Sequence, residues 1–256
     1  MKIGFIGTGQ ITKAVVTGII SSKLKVNKIY ISERNKKISK NLKSKSKKII
    51  IIKNNQEIIN KSNWVFLAVT PKVGRKILSN YTYKSNQIIV SFISTIKMKQ
   101  LKKMIKVKAK IVRAIPLPPI SLRKGPVPMF PPNKKVKFFF NHLGTAVEIN
   151  KENLSLNFWS TSGIMAPFYE LLNCMSSWLT KRGIKKDDAQ KYITSLFVAL
   201  SQDAVIKSKK DLKYLVKESQ TPKGLNEQGV KELKKAGIYR SVEKTLNSIL
   251  KRLNKV

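Results

Sequence analysis

Short apolar runs alternate with amphipathic stretches along the first 150 residues. Lys2 to Ile6 has the composition of a buried strand, breaks into Gly7-Thr8-Gly9-Gln10-Ile11-Thr12, and is followed by an apolar helix from Ala14 to Ile20. Lys28 to Ser32 predicts a second strand, Ile38 to Lys48 a polar helix and Ile49 to Ile52 a third strand. A helix begins after Asn54-Asn55 and runs through Lys61; Trp64 to Val69 then predicts a fourth buried strand, stopped by Thr70-Pro71. Lys72 to Asn80 continues as helix, Gln87 to Phe92 as strand, Met98 to Ile105 as helix and Ala109 to Ile115 as strand. Seven of the ten prolines (Pro116, Pro118, Pro119, Pro126, Pro128, Pro131 and Pro132) follow in what the pattern gives as one stiff loop. Phe138 to Leu143 reads as a helix end and Gly144 to Ile149 as a last strand.

Strands and helices alternating at this spacing predict a parallel sheet with right-handed crossovers. From Trp159 onward apolar residues recur only at helical spacing, in Ala166 to Leu179, Ala189 to Ile206 and Val242 to Leu253. The expected architecture is α/β: a Rossmann-like doubly wound sheet over residues 1–157, then an all-helical domain over 158–256. The long helices are apolar around much of their circumference. In so small a domain, that predicts burial against another subunit.

The glycines after the first strand give the chemistry. Gly7 permits a tight turn, Gly9 lets backbone approach a pyrophosphate, and the helix that follows aims free N–H groups at it. Thr12 stands where this turn usually has a third Gly or Ala. At the end of the second strand, Glu33 suits a ribose 2′-hydroxyl and hence NAD, while Ser32, Arg34 and Asn35 suit a 2′-phosphate and hence NADP. Ala68-Val69-Thr70-Pro71 lies at another strand C-terminus, where open sheets bind ligands. In the helical half, Thr221, Pro222 and Gly224 form a turn before a helix starting near Asn226, Glu227 and Gln228, whose N–H groups suit a carboxylate as well as a simple cap.

A net charge of +39 would ordinarily point to nucleic acid or an anionic membrane. Seven of the 52 basic residues are arginine, which leaves 45 lysines spread through every segment, whereas nucleic-acid grooves favour arginine clustered with aromatics. The excess therefore reads as a compositional bias, and neither a nucleic-acid nor a membrane partner is expected. One cysteine, Cys174, excludes an internal disulfide and a thiolate metal cluster, and His142 as the one histidine argues against a zinc site or a Ser-His-Asp triad. No apolar run is long enough for a membrane span, and Gly7, Gly9, Gln10 and Lys13 interrupt what would be a signal peptide, so the expectation is a cytoplasmic protein without a metal.

Across nearly its full length the chain resembles the pyrroline-5-carboxylate reductase family. The motifs occur in order: FIGTGQITKAVVTGI, NNQEII, FLAVTPK, IVRAIPLPP, LGTAVEINKENL, STSGIMAPFYELL and TPKGLNEQGV. The resemblance implies an oxidoreductase of proline biosynthesis that reduces a cyclic imine with NAD(P)H, and a helical domain that forms a homodimer or higher homo-oligomer with active sites at the subunit interface; Arg34 beside Ser32 and Asn35 favours NADPH, with NADH the second candidate. It implies that Gly7, Thr8, Gly9, Gln10 and Ile11 hold the pyrophosphate, Ser32, Arg34 and Asn35 the ribose phosphate, and Asn55 the adenosine ribose. Ala68, Val69, Thr70 and Pro71 would lie under the nicotinamide. Thr221 and Asn226 become the catalytic candidates, and Gly163, Gly224 and Leu225 the substrate contacts. The chain departs from the pattern at Leu117-Pro118-Pro119, where the family has Asn-Thr-Pro, at Ile164 to Phe168 and at Leu225-Asn226, so the substrate half is the more altered. The rival expectation is a catalytically silent NAD(P)-binding sensor or scaffold.

Overall fold

A computed structural model describes residues 1–207 and 209–255. Contacts divide the chain into two compact units, Met1–Trp159 and Ser160–Lys255.

The first unit is built on eight strands: β1 (Lys2–Ile6), β2 (Lys28–Ser32), β3 (Ile49–Ile52), β4 (Trp64–Leu67), β5 (Ile88–Ser91), β6 (Lys110–Ala114), β7 (Pro126–Phe130) and β8 (Thr145–Glu148). They form one sheet in the order β3-β2-β1-β4-β5-β6-β7-β8, parallel throughout except between β6 and β7. The connecting helices are α1 (Gln10–Ile20), α2 (Lys36–Lys45), α3 (Asn55–Lys61), α4 (Pro71–Ile77), α5 (Met98–Ile105) and α6 (Lys134–Asn141). Strand side chains alternate between two cores. Ile3, Phe5, Trp64 and Phe66 pack with α1, α2 and α6, whereas Ile6, Val65 and Leu67 pack with α3 and α5. Phe5 and Phe66 stack across neighbouring strands at 4.6 Å between ring centres. The order reverses at β1 and β4, so their C-terminal ends flank the switch point where a doubly wound sheet takes its ligand.

The proline-rich segment differs from a single loop. It holds a 3-10 turn at Pro118–Leu122 and the strand β7. Thr145 N–H donates to the Gly125 carbonyl and Ile149 N–H to that of Met129, both at 2.9 Å, so the odd-numbered positions of β7 face β8. Pro126 and Pro128 face the other way, where β6 pairs through Arg113 with Phe130 and Ala114 with Met129, and where Ile115 N–H donates to the Pro128 carbonyl at 3.1 Å, a bond that needs no N–H from the proline. The missing N–H groups therefore fall where few ladder bonds are needed. At the opposite edge Lys43 Nζ donates to the outward carbonyl of Ile49 at 2.7 Å. Helix α1 begins at Gln10, four residues earlier than its apolar run, because the glycine turn leads straight into it.

The second unit consists of α8 (Met165–Thr180), α9 (Lys186–Ile206), α10 (Leu212–Glu218), α11 (Leu225–Lys235) and α12 (Ile238–Asn254); α7 (Ser155–Ser162) spans the junction in sequence. Of the 21 residues of α9 only Ala189 and Ile193 are buried. Val198, Leu200, Val205 and Ile206 are exposed, the last at 81%. No described helix is long and apolar enough to cross a membrane.

Candidate functional site

Strand β1 ends in a turn that only glycine can make. Gly7 has φ +101°, and a Cβ there would lie 2.5 Å from the Ala68 carbonyl oxygen and 2.8 Å from Val69 Cγ1. Gly9 is different: it caps α1, and a Cβ would meet nothing within 4 Å. Its space opens on the cleft. Lys13 N–H, bonded to the Gly9 carbonyl at 3.0 Å, opens the helical ladder, so the N–H groups of Gln10, Ile11 and Thr12 precede it. No acidic residue occupies that first turn.

Thr12 does more than fill the third small-residue position. Fully buried, it donates from Oγ1 to the Gly7 carbonyl at 2.7 Å and so locks the turn. The close helix packing that a third glycine would supply is met instead at Gly18, where a Cβ would sit 2.5 Å from the Ile120 carbonyl oxygen.

The structure brings the residues expected at the dinucleotide into one cleft at the C-terminal ends of β1, β2 and β4. A cavity of about 540 Å³ is lined by Gly7, Thr8, Gly9, Arg34, Asn35, Lys36, Ala68, Val69, Thr70 and Val73. A cavity of about 240 Å³ continues it along Ser32, Glu33, Lys53, Asn55 and Ile77, with Gly7, Arg34, Lys36 and Val69 common to both. Gln10 and Ile11 in the first turn of α1 and Pro71, first residue of α4, lie next to this lining without being part of it. Ser32 is buried and already engaged. Gly7 N–H donates to its Oγ at 3.2 Å, and Thr8 Oγ1 donates to its carbonyl at 2.5 Å. It ties the turn to β2, and the outward charges at this end are those of Arg34, Lys36 and Lys53 against the single carboxylate of Glu33. Asn35 accepts from Ile38 N–H at 3.1 Å and caps α2.

Lys36 and Lys53 escape sequence reasoning because nothing separates them from the other lysines. Asn55 carries a second informative feature. Its Nδ2 donates to Tyr81 Oη at 2.9 Å, while its Oδ1 is buried without a donor. A buried acceptor left unpaired is costly, so a hydroxyl-bearing ligand against it would satisfy it. Free helix N–H groups, open space at Gly9, a cationic rim and this acceptor together suit a phosphorylated ribose ligand. Among the described residues no His, Cys, Asp and Glu cluster could hold a metal.

Beside the cleft, a buried ion pair fixes the loop after β5. Arg113 at the end of β6 is 3% exposed, pairs through Nη1 with Glu152 Oε1, and donates from Nη2 to the Ser94 carbonyl at 2.5 Å. Its guanidinium lies 4.6 Å from the Trp159 ring centre. Met98 N–H donates to the same Glu152 oxygen at 2.7 Å. Burial pushes the guanidinium below its ordinary pKa and Glu152 pushes it back up.

In the second unit, Thr221 to Gly224 form the turn before α11. Gly224 N–H donates to the Thr221 carbonyl at 2.9 Å, and a Cβ on Gly224 would strike Thr221 Oγ1 at 2.2 Å. Asn226 Nδ2 donates to the Ser219 carbonyl at 2.9 Å, and Leu225 is 87% exposed. Glu227 accepts from Lys223 N–H at 2.6 Å and pairs with Lys231 at 2.7 Å; the Lys231 bond foremost, then that of Lys223, holds its carboxyl below the usual range. Gly163 precedes α8, and a Cβ there would lie 2.7 Å from Ile249 Cδ1, so its smallness has a packing reason within the unit.

A doubly wound sheet with a glycine turn at its switch point, followed in sequence by a helical unit, is the architecture of a two-domain dinucleotide-binding protein. Residues 2–95 match the family model described as NADP oxidoreductase, coenzyme F420-dependent, and residues 158–256 match that described as pyrroline-5-carboxylate reductase dimerisation. Pyrroline-5-carboxylate reductase 2 of Bacillus subtilis (strain 168) is 22% identical over 260 residues, which cover 98% of this chain and 93% of that protein. Among solved structures, 1-pyrroline-5-carboxylate reductase from Streptococcus pyogenes superposes with a TM-score of 0.84 at 19% identity, covering 100% and 99% of the two chains. Pyrroline carboxylate reductase of Plasmodium falciparum, solved with NADP bound, gives 0.82 at 21% identity over 99% and 97%. The chain belongs to the pyrroline-5-carboxylate reductase family, a family of NAD(P)H-dependent oxidoreductases.

Proposed function

We propose that this chain reduces a cyclic imine, of the pyrroline-5-carboxylate kind, with NADPH. The observation that carries the reading is the cleft at the end of β1, where Gly9 leaves open space before the free N–H groups of α1 and three cations line the ribose end. Gly7 to Ile11 would hold the pyrophosphate, Arg34 with Asn35, Lys36 and Lys53 the 2′-phosphate, and Asn55 Oδ1 a ribose hydroxyl. Ala68 to Pro71 would form the floor under the nicotinamide. When bound, the reduced cofactor supplies the hydride for the C=N carbon. A protonated imine is already electrophilic, so the protein's task is to orient it and exclude water. That suits a chain whose one histidine, His142, is bound to the Phe138 carbonyl oxygen. The N–H groups opening α11 at Leu225 and Asn226 would hold a substrate carboxylate, with Thr221 as the orienting hydroxyl.

The deciding experiment follows NADPH absorbance with a panel of cyclic imino acids, with and without the carboxylate. Oxidation that requires the carboxylate supports the reading; binding of NADPH with no turnover on any imine would leave a silent dinucleotide-binding protein. The altered Leu117-Pro118-Pro119 and the exposed Leu225 favour that second reading.

Cofactor choice has its own test. Arg34→Ala should weaken NADPH binding roughly tenfold, the low end for a charge-assisted bond because Arg34 is exposed, and leave NADH unchanged. Tighter binding of NADH than NADPH by the parent protein, unaffected by the substitution, would assign the position to Glu33.

The apolar surface of α9 calls for a second copy of the chain. Ile206→Asp combined with Val198→Asp should shift the protein from dimer to monomer in sedimentation at micromolar concentration, each apolar side chain contributing about 1.5–3 kcal/mol when buried. A parent protein that sediments as a monomer would refute it.

A further inference from the structure

A separate cavity, of about 610 Å³, opens at the opposite end of the strands, where β1 and β4 begin. Trp64, Phe138, Phe139 and His142 supply its aromatic walls, with Met1 and Leu24 alongside. Trp64 and Phe139 lie 5.2 Å apart between ring centres, and Phe138 packs on His142 at 4.6 Å. Phe138 is nonetheless 65% exposed, an unusual cost for a phenyl ring unless something flat covers it. The rim is charged with one sign. Lys23, Lys25, Lys134 and Lys135 line it and no carboxylate does. Lysine supplies four of the ten residues that line this cavity. Nearby Lys137 is paired with Glu148 at 2.6 Å, whereas the four rim lysines have no carboxylate partner among the described residues.

The ligand that fits has a planar aromatic body for the rings and several negative charges for the ammonium groups. We propose that this cavity binds a nucleoside polyphosphate, its base stacked on Phe138 and its phosphates among Lys23, Lys25, Lys134 and Lys135. Base stacking on exposed aromatic rings flanked by cations is a recurrent way of holding nucleotides, and the volume lies within the usual range for small-molecule sites. Strand β1 runs from this cavity to the glycine turn, about 15 Å for a strand of that length, so the site is distinct from the dinucleotide cleft and independent of the reading given to it.

The test is calorimetric titration of ATP into the full-length protein in saturating NADP⁺, repeated with adenosine and with inorganic triphosphate. ATP should bind with the dinucleotide present and in the Gly9→Val protein, and bind at least tenfold more tightly than either fragment. Phe138→Ala should weaken it roughly tenfold, the size of one lost base–aromatic stack. Lys134→Glu with Lys135→Glu should weaken it by at least as much and flatten its salt dependence. These side chains are exposed, so the variants keep the parent's circular dichroism. Loss of ATP binding when NADP⁺ saturates the protein would place the nucleotide in the dinucleotide cleft; triphosphate binding as well as ATP would reduce the rim to a plain anion patch. Either result, or no binding at millimolar ATP, overturns the proposal.

Discussion

Gly7→Ala is expected to destabilise the protein, whereas Gly9→Val is expected to leave it stable and to abolish dinucleotide binding. The two glycines are two residues apart in one turn, yet they meet different neighbours. At Gly7 a side chain must adopt φ +101° and lie 2.5 Å from the Ala68 carbonyl oxygen. The left-handed conformation costs about 1–2 kcal/mol and the forced packing about 1–3 kcal/mol more. Ala68 N–H also donates to Ile6 at 2.8 Å, so the segment pushed aside is part of the β1–β4 ladder. At Gly9 the protein itself offers no resistance, and the side chain would stand where the pyrophosphate has to approach α1. Urea unfolding should report a loss of several kcal/mol for Gly7→Ala and a change within about 1 kcal/mol for Gly9→Val. Titration with NADPH should show Gly9→Val weakened at least about 100-fold, or ~2.7 kcal/mol. A Gly9→Val protein that folds and binds NADPH like the parent would show that α1 does not hold the pyrophosphate.

The next largest effect is expected at Glu152. Glu152→Ala strands the guanidinium of Arg113, which is 3% exposed, and takes from Met98 N–H the acceptor it has at 2.7 Å. Removing one partner of a buried pair costs about 3–5 kcal/mol, and because Glu152 is itself 27% exposed the lower end applies. Removing both should cost less. Arg113→Met with Glu152→Ala deletes the stranded charge and keeps an apolar stem against Trp159. The double variant should therefore unfold at higher urea than Glu152→Ala alone, and a double-mutant cycle measures the coupling. Strict additivity of the two single losses would show that the pair is not what holds the Ser94 loop.

Much of the sheet is legible from residue order. Lys28–Ser32 and Ile49–Ile52 form strands at the expected bounds and Met98–Ile105 a helix at its own, because an alternating pattern, an unbroken β-branched run and a helical period respectively are each closed by polar residues on both sides. Strand β7 was hidden. Local rules set proline against strands, and only the short pairing with β6, which uses the Pro128 carbonyl and asks for no N–H from either proline, makes Pro126 and Pro128 harmless there. In the cleft the glycine turn announces itself by its position after β1. Lys36 and Lys53 do not, since a lysine at a site and a lysine in solvent look alike in a chain with this many. Ser32 shows the converse limit. Its residue type suits a phosphate ligand, but the bonds from Gly7 and Thr8 have already committed it to the turn. The spacing of a motif specifies which atoms come near one another, and the folded chain decides which of them remain free.

Strand β3 gives the lysine excess a physical use. Four consecutive isoleucines, Ile49–Ile52, form the outermost strand on that side of the sheet. Such an edge is a template for stacking copies of the same segment into fibrils, since its outward carbonyl and N–H groups have no ladder partner. Lys43 blunts it by occupying the outward carbonyl of Ile49, and Lys47, Lys48 and Lys53 bracket the run with like charges that repel an approaching copy. Their repulsion acts over about 10 Å at 0.1 M salt and about 3 Å at 1 M. Association through this edge should therefore rise with ionic strength, and the Ile49 carbonyl, already occupied by Lys43, is the one position on it that does not depend on long-range repulsion.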